Sequence, residues 1–279
     1  DYTIEHKIIG SNDWLFGTKE NSSETGTNKK YGERFEGWAR QEDALKIGYY
    51  VDGSKTDPSR LYQSKIITDG DNVITFYYVS EPIEINYRVI VNGVVATNIN
   101  GCYVTPTLNS TSSHASSVNG STPFIAAGYY FDGWYADEQC SKKVSPDWIG
   151  ADNKITPKPE NGIISQETYY AKVEPCSLTI TKKGDVKANE TFLFNVASTD
   201  GKFDKVVSIT GNNSTTIDYI PQGEYTITEI SDWSWKYNNV EKQDVLISKN
   251  HIVEFENSRN ENKLLGDESN NNNVFAAVS

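Results

Sequence analysis

Short runs in which apolar and polar residues alternate recur along the whole chain: "YTIEHKII" from Tyr2, "NVITFYYV" from Asn72, "EINYRVIV" from Glu84, "TYYAKV" from Thr168, "SLTITKK" from Ser177, "TFLFNV" from Thr191, "EYTITEI" from Glu224 and "HIVEFEN" from His251. A period of two sends successive side chains to opposite faces, so each run predicts a strand with one core side and one solvent side. The segments between them are rich in Gly, Asn, Asp and Ser, which supply turns. The best helical stretches, "GWARQEDALKIG" (37–48) and "DGWYADEQCSKKV" (132–144), are both short. The chain reads as mainly β, with any helix accessory to sheets.

Three of these runs break their own pattern at the end. Leu178 and Ile180 share a strand face with Lys182, Tyr225 and Ile227 with Glu229, and Val253 and Phe255 with Asn257. Of the two adjacent lysines, face parity selects Lys182 over Lys183. A buried ammonium costs several kcal/mol unless it is paired or deprotonated, so three such groups, one per strand, are expected to meet. Their chemistry together is specific. Burial lowers the pKa of a lysine and raises that of a glutamate, which makes a neutral amine beside a neutral acid attainable. A neutral amine is a nucleophile. Attack of Lys182 Nζ on the side-chain carbonyl of Asn257, with a protonated Glu229 hydrogen-bonded to that carbonyl and relaying protons to the departing ammonia, would leave an intramolecular isopeptide bond. The event occurs once per molecule and needs no cofactor. The opposing reading is a hydrogen-bonded or partly exposed cluster with no covalent link.

A repeat organises the rest. Phe35, Gly37, Trp38 and Glu42 in "FEGWARQE" recur as Phe131, Gly133, Trp134 and Glu138 in "FDGWYADE", and each copy is followed by an aromatic strand closing in Glu-Pro, at Pro82 and Pro175. Proline cannot donate to a central ladder and restricts the residue before it, so both positions read as module hinges. Residues 1–81, 82–175 and 176–260 are thus three modules on very short linkers, which favour a semi-rigid rod, and 261–279 is an asparagine-rich tail, either disordered or an added edge strand. The tryptophans of the repeat, Trp38 and Trp134, are read as the centres of small cores, against the alternative of sugar-stacking platforms. No comparable Lys, acid and Asn trio aligns on the apolar faces of the first two modules.

Composition narrows the classes. The chain has 279 residues, 23% of them charged, with a formal net charge of -12, which argues against a surface that tracks nucleic-acid phosphates. No run of about 18 apolar residues offers a membrane span. Methionine is absent, no signal peptide opens the chain and no sortase-type signal closes it, so the sequence reads as a piece or processed form of a longer protein. Three cysteines are too few for a disulfide scaffold. Cys102 and Cys140 fall in the same module and either pair or stay as free buried thiols, while Cys176, at the second junction, is left over. His6, His114 and His251 lie far from any second ligand at metal spacing, so no metal site and no cofactor is expected.

The same residues carry family resemblances. "SLTITKKGD", "PQGEYTITEI" and "HIVEFENSRN" resemble, in order, the Cna B-type domain of Gram-positive pilins and adhesins, in which a first-strand lysine, an acid after a G-x-Y-x-x-x-E stretch and a last-strand asparagine correspond to Lys182, Glu229 and Asn257. "GYYFDGWYADEQCSKKV" with "TYYAKVEP" is similar to Listeria-Bacteroides (internalin B-type) repeats, and the first module is similar to mucin-binding-protein repeats. These resemblances imply two small β-grasp-like modules followed by an immunoglobulin-like β-sandwich in an elongated rod. They imply a structural stalk or adhesin segment of an extracellular, cell-wall-anchored surface protein, its anchor lying outside this sequence, with neighbouring modules as partners. The other function class is a binding module that recognises a host matrix protein, mucin or polysaccharide through exposed aromatics. Exposure of Trp38 and Trp134 separates the two. A turnover enzyme ranks third, because no nucleophile, base and orienting group assemble outside the trio. Pulling the ends of the third module is expected to peel its terminal strands, so a covalent link between them would carry the load.

Overall fold

The computed structural model describes residues 1–230, 236–238 and 242–260. The tail expected over 261–279 lies outside the described residues. What is described is a mainly β, helix-poor, multi-sheet structure, and its buried apolar side chains gather into three clusters that follow one another along the chain.

The first cluster is built on β1 (Tyr2–Ile8), β2 (Ser23–Gly26), β3 (Arg34–Trp38), α1 (Gln41–Lys46), β4 (Tyr49–Val51), β5 (Tyr62–Ile66) and β6 (Val73–Ser80). Four strands form a sheet in the order β2-β1-β6-β4, while β3 and β5 pair as a separate antiparallel ribbon. The helix occupies the first of the two stretches read as helical. The second does not form one. There Tyr129–Tyr135 is a strand, and Asp137 turns the chain by accepting the backbone N–H groups of Ser141 and Lys142, with Cys140 in the left-handed region at φ 53°. A side chain that competes for backbone donors favours such a turn over a helix.

The second cluster uses β7 (Pro82–Val91), β8 (Val94–Ala96), β9 (Asn98–Ile99), β10 (Cys102–Thr105), β11 (Leu108–Ser112), β12 (Thr122–Phe124), β13 (Tyr129–Tyr135) and β14 (Thr168–Pro175). Its main sheet runs β11-β7-β14-β13 with β8 added beside β7, and β12-β10-β9 forms a smaller sheet. The third comprises β15 (Ser177–Gly184), β16 (Thr191–Ser198), β17 (Asp204–Thr210), β18 (Ser214–Asp218), β19 (Gly223–Ile230), β20 (Tyr237–Asn238), β21 (Lys242–Ile247) and β22 (His251–Arg259). Two sheets, β18-β15-β22-β20 and β17-β16-β19-β21, contribute apolar faces to one shared core.

One feature is common to all three units: among the described residues the first and last strands lie side by side and parallel, as β1 with β6, β7 with β14 and β15 with β22. This changes the mechanical expectation. In a parallel pair of terminal strands the two chain ends leave in opposite directions, so tension shears the whole ladder at once instead of peeling it bond by bond. The joints are short and bonded on both sides. Glu81 donates its backbone N–H to Gly48 O (2.8 Å) and accepts from Ser113 N (2.8 Å), and Tyr49 stacks on His114 at 4.0 Å. At the second joint Cys176 N donates to Gly128 O (2.9 Å), Gln222 Nε2 donates to Tyr129 O (2.7 Å), and Tyr130 packs against the third core.

The two tryptophans of the repeat part company. Trp134 is 1% exposed and donates its indole N–H to Asn153 O at 2.7 Å, as a core tryptophan should. Trp38 is 66% exposed, which corrects the expectation that it centres the first core. The cause is strand parity. Along β3, Phe35 and Gly37 face inward, so Trp38 faces water. In β13 the ladder slips between Phe131 and Gly133, a bulge that adds one residue and returns Trp134 to the inner face.

Candidate functional site

Lys182, Glu229 and Asn257 meet in the core of the third unit. The parallel register opposes Lys182 to Phe255 and Gly184 to Asn257, so the amine and the carboxamide project from neighbouring strands onto the same inner face. Glu229 comes from the opposite sheet, on β19 beside Phe194 of β16. Lys182 Nζ donates to Glu229 Oε2 at 2.9 Å, and Asn257 Nδ2 donates to Glu229 Oε1 at 2.8 Å. One carboxylate therefore holds the amine and the amide next to each other, and all three side chains are buried. Lys183 points outward to Glu254 at 2.5 Å.

The surroundings are aromatic. Lys182 Nζ lies 4.7 Å from the centroid of the Phe192 ring and 6.0 Å from that of Phe194, which itself packs on Phe255 at 5.0 Å. Burial pulls the lysine pKa below its usual value, and the hydrogen bond and charge of Glu229 offset only part of that. Asn257 Oδ1 is buried without a hydrogen-bond partner, an expensive state for an amide oxygen. Glu229 engages the nitrogen of the carboxamide, not its carbonyl oxygen as the residue pattern alone suggested. It therefore faces the group that would leave.

Gly184 sets the spacing of the two strands here. It has φ +108°, and a Cβ on it would sit 2.1 Å from the backbone oxygen of Asn257, which accepts the Asp185 N–H at 2.9 Å. Only glycine tolerates both the left-handed backbone and that approach.

Other groups were not legible as a pattern. Glu190, nearly buried just before β16, accepts from Lys236, from the Tyr237 hydroxyl and from Lys187 N (3.1 Å). Burial pushes its carboxyl up, but these donors outweigh it and hold the pKa below the usual carboxylate range. His6, fully buried in the first unit, shares a 2.8 Å hydrogen bond with Tyr78 Oη through Nδ1, while its Nε2 has no hydrogen-bond partner. The structure holds Cys102, Cys140 and Cys176 as free thiols, so the Cys102–Cys140 pairing considered above is not formed; Cys102 is buried in the second core, and Cys140 sits on the turn after β13. Two pairs of aromatic rings face outward across antiparallel strands: Trp38 with Tyr62, and Tyr103 with Phe124.

No family model and no curated protein matches the chain. Among solved structures it is similar to the Bacillus anthracis TIE protein (15% identity over 93% of this chain and 50% of that one, TM-score 0.39). It is also similar to the major pilin subunit of Bacillus cereus (11% identity, 91% and 98% of the two chains, TM-score 0.36). A third is a Mobiluncus mulieris adhesin containing intramolecular disulfide, isopeptide and ester bond cross-links (16% identity, 40% and 46%, TM-score 0.27). The chain spans about half the length of the Bacillus anthracis protein. The resemblance to Gram-positive pilins and adhesins is distant and of low identity, and it assigns no family.

Proposed function

We propose that this chain is a load-bearing stalk or adhesin segment of a Gram-positive surface protein, stiffened by a self-formed isopeptide bond between Lys182 and Asn257. The observation that carries this reading is the buried trio itself, an amine and a carboxamide on adjacent strands bridged by one carboxylate from the facing sheet. In the proposed step Lys182 passes a proton to Glu229 along their hydrogen bond. The neutral amine adds to Asn257 Cγ, forming the new C–N bond. A second proton leaves the former amine through Glu229 for the amide nitrogen, the Cγ–Nδ2 bond breaks, and ammonia departs, leaving a secondary amide and a protonated Glu229. Folding supplies the encounter that solution chemistry lacks, because the reacting groups are held side by side in the buried core.

The bond would join the first and last strands of a Cna B-type sandwich, the pair that tension shears. The two preceding units would serve as β-grasp-like spacers within residues 1–81 and 82–175, ahead of the sandwich over 176–260. Parallel terminal strands in all three units, and joints hydrogen-bonded on both sides, support a mechanical role. Intact mass spectrometry tests it. The wild-type chain should be lighter than its sequence by one ammonia, and Lys182→Ala, Glu229→Ala and Asn257→Ala should each show the full mass. A wild-type chain at full mass removes the reading.

A further inference from the structure

The outward aromatic pairs take no part in the trio. Trp38 and Tyr62 oppose each other across β3 and β5 with ring centroids 4.6 Å apart at 50°, and Trp38 leaves 66% of its surface in water. Tyr103 and Phe124 oppose each other across β10 and β12, stacked at 4.8 Å and 18°, with Phe124 half exposed. Single exposed apolar residues are ordinary, whereas contiguous exposed aromatics mark contact surfaces. Here the same device occurs in two successive units whose tryptophans otherwise have opposite fates.

The chemistry beside the rings narrows the ligand. Next to the Trp38–Tyr62 pair on the same face lies the Glu36–Ser64 pair. The Glu36 carboxylate engages the Tyr62 hydroxyl and raises its pKa, and Arg34 Nη1 donates to Ser64 Oγ at 2.6 Å. An exposed indole face edged by a carboxylate, a hydroxyl and a guanidinium suits a ring with an apolar face and a hydroxylated rim. At the contact the Arg34 guanidinium is offset by the Glu36 carboxylate, so no local positive excess overrides the formal net charge of -12, which disfavours sulfated or carboxylated glycans and favours neutral ones. Two platforms on one molecule suit a polymer of like rings, since a chain long enough to reach both gains avidity.

We infer that the Trp38–Tyr62 and Tyr103–Phe124 pairs are stacking platforms for the pyranose rings of an extended neutral polysaccharide. This adds a binding activity to the stalk reading and stands whether or not Lys182 and Asn257 join.

The test titrates the full chain with cellohexaose, chitohexaose and mannohexaose, reading the Trp38 indole and Phe124 ring resonances by NMR and the affinity by calorimetry, with a proline decapeptide as the protein-ligand arm. At least one hexasaccharide should shift both sets of signals, with affinity unchanged between low and high salt. Trp38→Ala and Phe124→Ala should each weaken binding at the altered platform, read on the Tyr62 or Tyr103 ring, roughly tenfold. Both rings are exposed, and unchanged melting of the variants certifies that they fold. The inference is overturned if none of the three sugars moves these signals, if binding at a platform survives loss of its Trp38 or Phe124 ring, or if only the proline peptide binds.

Discussion

Replacing Lys182 by Met isolates the covalent contribution, because the new side chain nearly matches the old in length and keeps the contact with Phe192 while removing the nucleophile. A bond from Lys182 to Asn257 closes a loop of about 75 residues, for which the chain-entropy relation gives roughly 4.5 kcal/mol of stabilisation. The crosslinked wild type holds a neutral secondary amide beside a protonated Glu229, so the substitution removes no ion pair from it. The Glu229 oxygen left without its donor costs about 1–3 kcal/mol more. A unit of about 85 residues shifts its Tm by roughly 4–8 °C per kcal/mol, so the loop alone corresponds to roughly 20–35 °C. The assay is calorimetry of the wild type and Lys182→Met, each with its intact mass measured on the same sample. The reasoning is refuted if the wild type has lost ammonia and yet the variant's third unit melts within about 5 °C of it.

Gly184→Ala should accumulate chain at full mass after purification, because the added Cβ drives β15 away from Asn257; crosslinking as complete as in wild type would contradict that account. Burial, then the charge of Arg40, lowers the His6 pKa from 6.5 to about 4, so folding keeps this ring neutral while the unfolded chain binds the proton. The resulting stability of the first unit is full above pH 6.5 and falls by about 3 kcal/mol as pH drops from there toward 4, a slope that melts at several pH values should show and His6→Phe should flatten. Trp134→Ala should destabilise the second unit by about 3–5 kcal/mol in denaturant titration, while Trp38→Ala should stay within about 0.5 kcal/mol for the first. Equal losses at the two positions would contradict the parity argument.

The trio was legible because it depends on a local rule. A strand's period of two places Lys182, Glu229 and Asn257 on the apolar faces of their own strands without knowledge of any partner, and the cost of burying such groups alone demands that they meet. Mainly β character and the repeated F-x-G-W element follow from equally local patterns. Parity fails where a neighbouring strand intervenes. The same motif buries Trp134 and exposes Trp38 because the ladder between β13 and β14 contains a bulge and that between β3 and β5 does not, and a bulge is a property of two strands, not of one. The second helical stretch failed for a related reason, since Asp137 found backbone donors that a helix would have used internally.

Pairing partners, strand direction and the orientation of a side-chain amide are likewise decided by tertiary contacts. Nothing in "HIVEFEN" says that β22 runs parallel to β15, or that Glu229 will meet the nitrogen of Asn257 and leave its oxygen bare. Sequence by itself determined which polar residues the third core gathers, because alternation and the energetic cost of burial act within a single strand. The tertiary structure decided how those residues face one another and which aromatics reach water, because register, bulges and sheet order exist only once distant strands have paired.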